Sequence, residues 1–530
     1  MLIHDLLVAN AKKLNDKIAL TEINYSKQDM MKTNKQNRKT ITWKELNCYS
    51  NQISNYFVSM GVNKGSKVAI LMRNSIDYLA IYFGILKIGA IAVPINYNNT
   101  VSEICNCLNI SNSIVIAFSS EFSETIKACK NNLTSVEHFI NFGTGELYFA
   151  ECADRILNGF SEEFAKIDID PDDTSAIYFS SGTTGNSKAI MLSHQAMIIA
   201  AKTEQRHHLQ TEDDIFLIIP PLYHTGAQIH WFGNLISGGG AVILNQTSPQ
   251  MILETIAREN ITIVWLLLIW VQDIFGAIDA GDIDINKYDL SSLRLMHMGA
   301  QPIPMSVVRK WKEIFPDKQF DINYGLTESG GPGCINLGFE TNYKPQMLGL
   351  PDEEWKVGIR KGEQIVEDKN FVGEICVKGP SVMKGYYNDI NATNMILSRT
   401  GWLYTGDIGY IDENGYVFYT GRKKDIIIVN GENIYPIEIE NHIRAVQGVR
   451  EVAVVGIPND RFGEVITAVV EIGDCSNEYS IRKNIKRQCR SLPLYKQPMN
   501  LYFDTIPRNS TGKVDKKQLR SKYTDKEKSE

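Results

Sequence analysis

Tyr178-Phe-Ser-Ser-Gly-Thr-Thr-Gly-Asn-Ser-Lys188 decides how the rest of the chain is read. An apolar, strand-like run over 175–179 feeds into Ser180, Ser181, Gly182, Thr183, Thr184 and Gly185, and a helix is expected from about Ser193. Gly182 and Gly185 let backbone N–H groups turn towards an anion, the hydroxyls add donors, and Lys188 supplies a point charge. The spacing G-x-x-G-x-x-K is not that of a Walker A loop, which needs four residues between its glycines and then Gly-Lys directly. The stretch reads as a phosphate cradle of another kind. A plain Ser/Thr/Gly surface turn is the alternative, and the residues downstream decide between the two.

A chain of 530 residues is too long for one core, so two or more domains are expected. Its net charge of -6 excludes a general nucleic-acid binder, whose footprint is basic. An anionic ligand must therefore be held by a local site. The nine cysteines are scattered and odd in number, which fits reduced thiols better than a disulfide framework. Residues 1–17 carry His4, Asp5, Lys12 and Lys13 within their apolar pattern, unlike a signal peptide. The longest apolar run, 261–271, is short of the roughly 20 residues a spanning helix needs. A cytoplasmic protein with no transmembrane segment is expected.

The first three quarters alternate strand and helix patterns. Residues 67–72 read as a buried strand; Ser75 can cap the next helix, which stacks Leu79, Phe83 and Leu86 on one face and stops at Gly89. Further strands are expected at 90–95, 215–220, 241–244, 261–267 and 293–298. The rhythm predicts an α/β fold: a large N-terminal domain of mainly parallel sheets flanked by helices. Residues 27–39, rich in Lys, Asn and Gln, read as an exposed loop. After about Gly373 the pattern becomes a β-meander, with Asn414-Gly415 as a type I′ hairpin signal. Gly421-Arg-Lys-Lys-Asp425 breaks that pattern. The boundary is placed there, giving residues 1–422 and a small mobile α+β domain, 423–530.

Five further segments follow the phosphate loop in order: Asn323-Tyr-Gly-Leu-Thr-Glu328, Gly401-Trp-Leu-Tyr-Thr-Gly-Asp407, Gly421-Arg-Lys-Lys-Asp425, Gly431-Glu-Asn-Ile-Tyr-Pro436 and Pro507-Arg-Asn-Ser-Thr-Gly-Lys513. Together with Ser181-Gly-Thr-Thr-Gly185 and Lys188, they make the chain resemble the adenylate-forming superfamily of acyl-CoA synthetases, nonribosomal peptide adenylation domains and firefly luciferase. The resemblance spans nearly the whole chain. It implies an acid–thiol ligase that joins a carboxylate to the α-phosphate of ATP and then passes the acyl group to a thiol. Both reactants of the first step are anions, so the protein must screen charge and fix the line of attack.

The resemblance also implies roles. The loop around Thr183 and Thr184 would wrap the outer phosphates, assisted by Lys188. Glu328, with Thr184, would hold Mg²⁺, and Thr327 would touch the α-phosphate. Gly299, Ala300, Gln301, Asn323, Tyr324 and Gly325 would form the adenine site, with Tyr324 stacking on the base. Asp407, an acceptor-only carboxylate, suits the ribose diol, and Arg422 would reach the same sugar. Lys513 would bridge the substrate carboxylate and the α-phosphate, a task for a compact, mobile charge. Lys424 would be the hinge, and Gly431, Glu432 and Asn433 would border the thiol channel.

Pro220-Pro-Leu-Tyr-His224 resembles the segment that opens the acid pocket, with His224 as an aromatic wall. No Asp or Glu lies between Asp214 and Glu254, and no Lys or Arg between Arg206 and Arg258. Thr225 stands where amino-acid-activating relatives place an Asp, and a buried ammonium without a partner is costly. An alkyl or aryl acid is therefore expected, in a pocket lined by His224, Thr225, Trp231, Gly299 and Gly330, with Trp265, Leu266 and Met298 also in candidate apolar segments. Departures from the common pattern are Ser187 for Pro, Ala189 for Gly, Ala300 and Gln301 for Gly-Ala, and Leu268 for Pro. The expected thiol is coenzyme A, since no carrier module is fused; a free-standing carrier protein is the rival acceptor.

Overall fold

The computed structural model describes residues 2–24, 38–143, 145–180, 187–299, 303–336, 343–473, 477–508 and 513–527. Two large sheets form the N-terminal region. In the first, the parallel strands Ile91–Pro94, Lys67–Leu71, Val115–Ser119 and His138–Phe142 are joined by helices. The helix Ile76–Ile88 shows how the sequence imposes this. Ser75 accepts a hydrogen bond from the Tyr78 N–H, and Gly89, at φ 73°, closes the end in the left-handed conformation.

The second sheet runs parallel through Gly240–Leu244, Ile215–Ile218, Ile263–Leu267, Leu295–Gly299 and Gln319–Leu326. Beyond Asn323 it becomes antiparallel and continues as the expected meander, including Leu403–Ile411 and Val417–Arg422. The helices Ile76–Ile88, His194–His207 and Thr225–Ser237 lie between the two sheets, and their large side chains (Phe83, Trp231, Phe232) fill one shared core. Separate apolar clusters cover the outer face of each sheet, the layered arrangement that buries parallel strands on both faces.

After Arg422 the turn Lys423–Asp425 leads into a separate five-stranded sheet, in which Val449–Asn459 and Gly463–Ile472 form the long central hairpin. The helix Lys516–Glu527 covers it through Leu519 and Tyr523.

Three expectations need correction. The phosphate loop does not run from a strand into a helix. It joins the antiparallel strands Thr174–Ser180 and Lys188–Ser193, with Ser180 opposite Lys188, and Ser193 then caps the helix. Lys39 is not loop: Arg38–Thr42 is a strand paired with Ile18–Ile23. Residues 27–37 of that expected loop lie outside the described residues. The hairpin at Asn414-Gly415 exists but is not type I′, because only Gly415 has a positive φ. Asp412 instead accepts from the Gly415 N–H, and its carboxylate accepts from the Asn414 and Tyr416 N–H groups. That side chain stabilises a longer loop. The eight described cysteines are all free thiols.

Candidate active site

The ribose-type constellation assembles on the meander. Asp407 and Arg422 are direct cross-strand partners, so their side chains share one face. The Arg422 Nε lies 2.8 Å from Asp407 Oδ1, and the Tyr324 hydroxyl donates to Oδ2 at 2.7 Å. Asp407 is 1% exposed. Burial raises its carboxyl above the usual value, opposed by Arg422, Tyr324 and Lys513. Tyr324 reaches this point because its strand changes partner at Asn323, from parallel to antiparallel neighbours.

The turn after that strand carries Thr327 and Glu328. Ser329 Oγ accepts from the Leu326 N–H, and Gly330 N–H donates to the Thr327 carbonyl. Gly330 sits at φ 73°, and a Cβ there would lie 1.8 Å from the Ser381 carbonyl oxygen. Only glycine lets the two segments press together, and the contact delivers the segment that follows Ser381. Met383 N–H donates to the Glu328 carbonyl, and the Tyr386 hydroxyl donates to Glu328 Oε1 at 3.1 Å. Tyr386 also presents its ring to the Lys188 ammonium at 4.6 Å. One tyrosine thus links the lysine behind the phosphate loop to the candidate magnesium carboxylate. Nothing in the sequence marked it, because Gly385–Tyr386 is only two residues long and pairs with Lys188–Ser193 from far along the chain. The hard carboxylate oxygens of Glu328 suit Mg²⁺; Thr184, the other expected ligand, lies outside the described residues.

Lys513 stands before the C-terminal helix on a loop pinned by the Arg508–Val514 bridge and by Asp515 N–H donating to the Pro507 carbonyl. It keeps accessible surface, yet protein atoms crowd the cleft around it. Loss of solvation lowers its ammonium below the usual lysine value; Arg422 lowers it further, while Asp407 and Glu328 raise it. His224, at the start of helix Thr225–Ser237, feels the same lysine. Burial, then the Lys513 charge, pulls it down to about 4. Lys513, though exposed, is thus close enough to Asp407, Arg422, Glu328 and His224 for its charge to be felt by groups of the N-terminal region.

Other expected residues are dispersed. Ser181, Gly182, Thr183, Thr184, Gly185, Ala300 and Gln301 lie outside the described residues. Lys424 is exposed in the turn Lys423–Asp425, and Gly431, Glu432 and Asn433 are exposed on a hairpin of the small sheet. Trp231 does not line a cleft: it is fully buried, with its ring 5.9 Å from Phe83 in the shared core. Its helix turns that position inwards, and His230 faces the sheet instead. Gly330 is packed on Ser381 rather than open to a substrate. Thr225 is buried, and its hydroxyl has no hydrogen-bond partner among the described residues.

A buried polar cluster lies beneath this site. Three imidazoles meet one carboxylate oxygen: His207 Nε2 at 2.7 Å, and His208 Nε2 and His297 Nδ1 each at 2.9 Å from Asp321 Oδ2. Glu204 lies 3.2 Å from His208 Nδ1 and accepts from Asn323 Nδ2 at 2.7 Å. The partners hold Asp321 well below the carboxylate range despite its burial, whereas burial and Asp321 push Glu204 well above it. Burial holds His208 down to about 3. His207, His208 and Asp321 offer three ligand atoms within 4.8 Å, but His208 Nε2 already hydrogen-bonds Asp321 Oδ2. The adjacent His207-His208 pair, four residues after Glu204, was the one local signal of this cluster.

The chain matches the family "AMP-binding enzyme" over residues 7–387 and "AMP-binding enzyme C-terminal domain" over 438–513. It is 30% identical over 495 residues to a long-chain-fatty-acid–CoA ligase of Mycobacterium tuberculosis, covering 91% of this chain and 93% of that one. It is 28% identical over 504 residues to 4-coumarate–CoA ligase 3 of Arabidopsis thaliana, covering 91% and 87%. Among solved structures it is similar to ATP-bound MatB from Rhodopseudomonas palustris, with a TM-score of 0.85, 28% identity and 99% of both chains covered. No helix among the described residues is long and apolar enough to cross a membrane.

Proposed function

Since the chain belongs to the AMP-binding, adenylate-forming family and is an AMP-forming acid–thiol ligase, we propose that it activates a hydrophobic carboxylic acid with ATP and transfers the acyl group to coenzyme A. The observation that carries this reading is Lys513, held in the cleft beside Asp407, Arg422 and His224. A carboxylate is a weak nucleophile and the α-phosphate is itself anionic. An ammonium between them lowers their repulsion and follows the charge as the new C–O–P linkage forms and pyrophosphate leaves. Asp407 already accepts from Tyr324 and pairs with Arg422, but a carboxylate has about four lone-pair directions, so both ribose hydroxyls can still be accommodated. Arg422 opposes the upward pull of burial on that carboxylate. Lys188, with Tyr386 behind it, faces the outer phosphates, and Thr327 the α-phosphate. Glu328, with Thr184, would hold Mg²⁺, which supplies charge neutralisation at the phosphates.

In the second step the domain from residue 423 onward turns about Lys424, withdrawing Lys513 and bringing Gly431, Glu432 and Asn433 to the cleft, where they border the path of the thiol. Their present exposure agrees with an orientation set for the first step.

ATP–pyrophosphate exchange over a panel of acids, followed by product analysis with coenzyme A or a carrier protein, tests this reading. Exchange followed by acyl-CoA formation is expected. Exchange with loading of a carrier protein only would replace coenzyme A as the acceptor, and no exchange with any acid would overturn the reading as a whole.

A further inference from the structure

Two buried polar atoms near the strand end at Gly299 have no partner among the described residues. Trp265 and His297 are neighbours in register on adjacent parallel strands, and Gly299 lies two residues beyond His297 on the same face. His297 is 0% exposed and Trp265 6%, yet His297 Nε2 and Trp265 Nε1 have no hydrogen-bond partner among the described residues. The ideal Cβ position of Gly299 lies 3.0 Å from each nitrogen, so the two nitrogens are at most twice that distance apart, a spacing that one hydroxyl can bridge. Both therefore converge beside Gly299, whose missing side chain lets the two rings come this close, at the C-terminal end of the strand, where open α/β sheets bind ligands.

The network fixes what the two atoms offer. His297 uses Nδ1–H to donate to the Asp321 carboxylate at 2.9 Å, so its Nε2 is an acceptor. The indole Nε1–H is a donor only. His230, on the helix that starts at His224, stacks on Trp265 at 4.5 Å between ring centres and 13° between planes. The same indole lies across Gly226, where a Cβ would meet it at 2.9 Å. From His224 to His230 the helix advances about 9 Å along its axis.

We infer that the acid carries a neutral hydroxyl on its tail, a phenol or an alcohol, that donates to His297 Nε2 and accepts from Trp265 Nε1–H. The inference rests on the acid-activating reading above. A second carboxylate would meet the His297 lone pair with no lysine or arginine on this helix to pair it. An ammonium would find Asp321 already engaged by three imidazoles. A plain hydrocarbon tail would leave both nitrogens unpaired.

The test is ATP–pyrophosphate exchange by the full chain with matched acids: a phenolic aryl acid and its deoxy partner, an ω-hydroxy alkyl acid and its deoxy partner, and a long-chain fatty acid. In at least one pair the hydroxylated member is expected to have kcat/KM at least about 10-fold above its partner, because a site built to bond a hydroxyl rejects the analogue that lacks it. Trp265→Phe keeps the ring and removes the donor, and should bring that ratio towards one. Preference for the deoxy or long-chain acids, or a ratio unchanged by Trp265→Phe, overturns the inference alone. Exchange with no acid at all overturns the acid-activating reading, and the inference with it.

Discussion

In the proposed role Lys513 works only while charged, and its surroundings make that charge easier to lose. Its proton should leave at a lower pH than the usual value of about 10.4. Adenylation should therefore decline on the alkaline side earlier than an ordinary lysine would dictate. Lys513→Ala should cost at least about 100-fold in pyrophosphate exchange, ~2.7 kcal/mol of transition-state stabilisation, while preformed acyl-adenylate should still be converted to thioester. A folded Lys513→Ala protein that has lost both steps would contradict the bridging role. Tyr386 gives a finer test. Tyr386→Phe keeps the ring over Lys188 and removes the donor to Glu328. It should alter the Mg²⁺ concentration dependence of exchange and spare the KM for the acid; an unchanged magnesium curve would separate the tyrosine from that carboxylate.

Among the elements, the buried cluster beneath the strand ends has a predictable pH signature. Glu204 Oε2 and His208 Nδ1 lie 3.2 Å apart, and both lack any other partner, which fits a protonated Glu204 donating to the imidazole. Its value is raised in the fold, so above the ordinary carboxylate range of about 4.3 the native state holds a proton that the unfolded chain has lost. Stability then falls as pH rises through that window, by up to about 1.4 kcal/mol per unit. Glu204→Gln offers the same donor and acceptor without a proton to lose, and its advantage over wild type should grow from pH 5 to pH 8 in urea titrations. Parallel pH trends for the two proteins would refute the protonated state. On the acid side His208, held down to about 3, favours the unfolded chain below about 6.5, so stability falls again as the solution is acidified.

Elements with local signals were legible from the chain. Ser75 and Gly89 announce both ends of their helix, and alternating strand and helix patterns announce the parallel sheets. The strand Lys188–Ser193 was missed because most of it is buried, which hides the alternation expected of a half-exposed strand. The hairpin type was misjudged because an Asp412 side chain, not the Asn-Gly pair, sets the turn. Tyr386 and the histidine cluster were not legible, since they are assembled across strands and helices distant in sequence. Trp231 and His230 are adjacent, and only the helix's orientation on the sheet tells which one faces the cleft.

For the whole molecule, the proposed second step depends on the turn at Lys424. Proline there fixes φ near about −65° and removes an N–H. Lys424→Pro should leave pyrophosphate exchange measurable and lower thioester formation by orders of magnitude, read by comparing exchange with acyl-CoA yield in one preparation. Equal losses in both would place the pivot elsewhere.

Arg422 is the last rung of the ladder with Leu403–Ile411, and the turn begins at the next residue. If the domain turns about Lys424 as proposed, the guanidinium that holds Asp407 stays with the stationary body, whereas Lys513 travels with the moving one. Withdrawing the lysine would then exchange the ceiling of the chamber and leave its floor in place. The nucleotide half of a reactive mixed anhydride stays moored while its acyl end is handed from one set of neighbours to another. Escape of the intermediate into water should accordingly be governed by the grip on its sugar rather than by how often the lid swings.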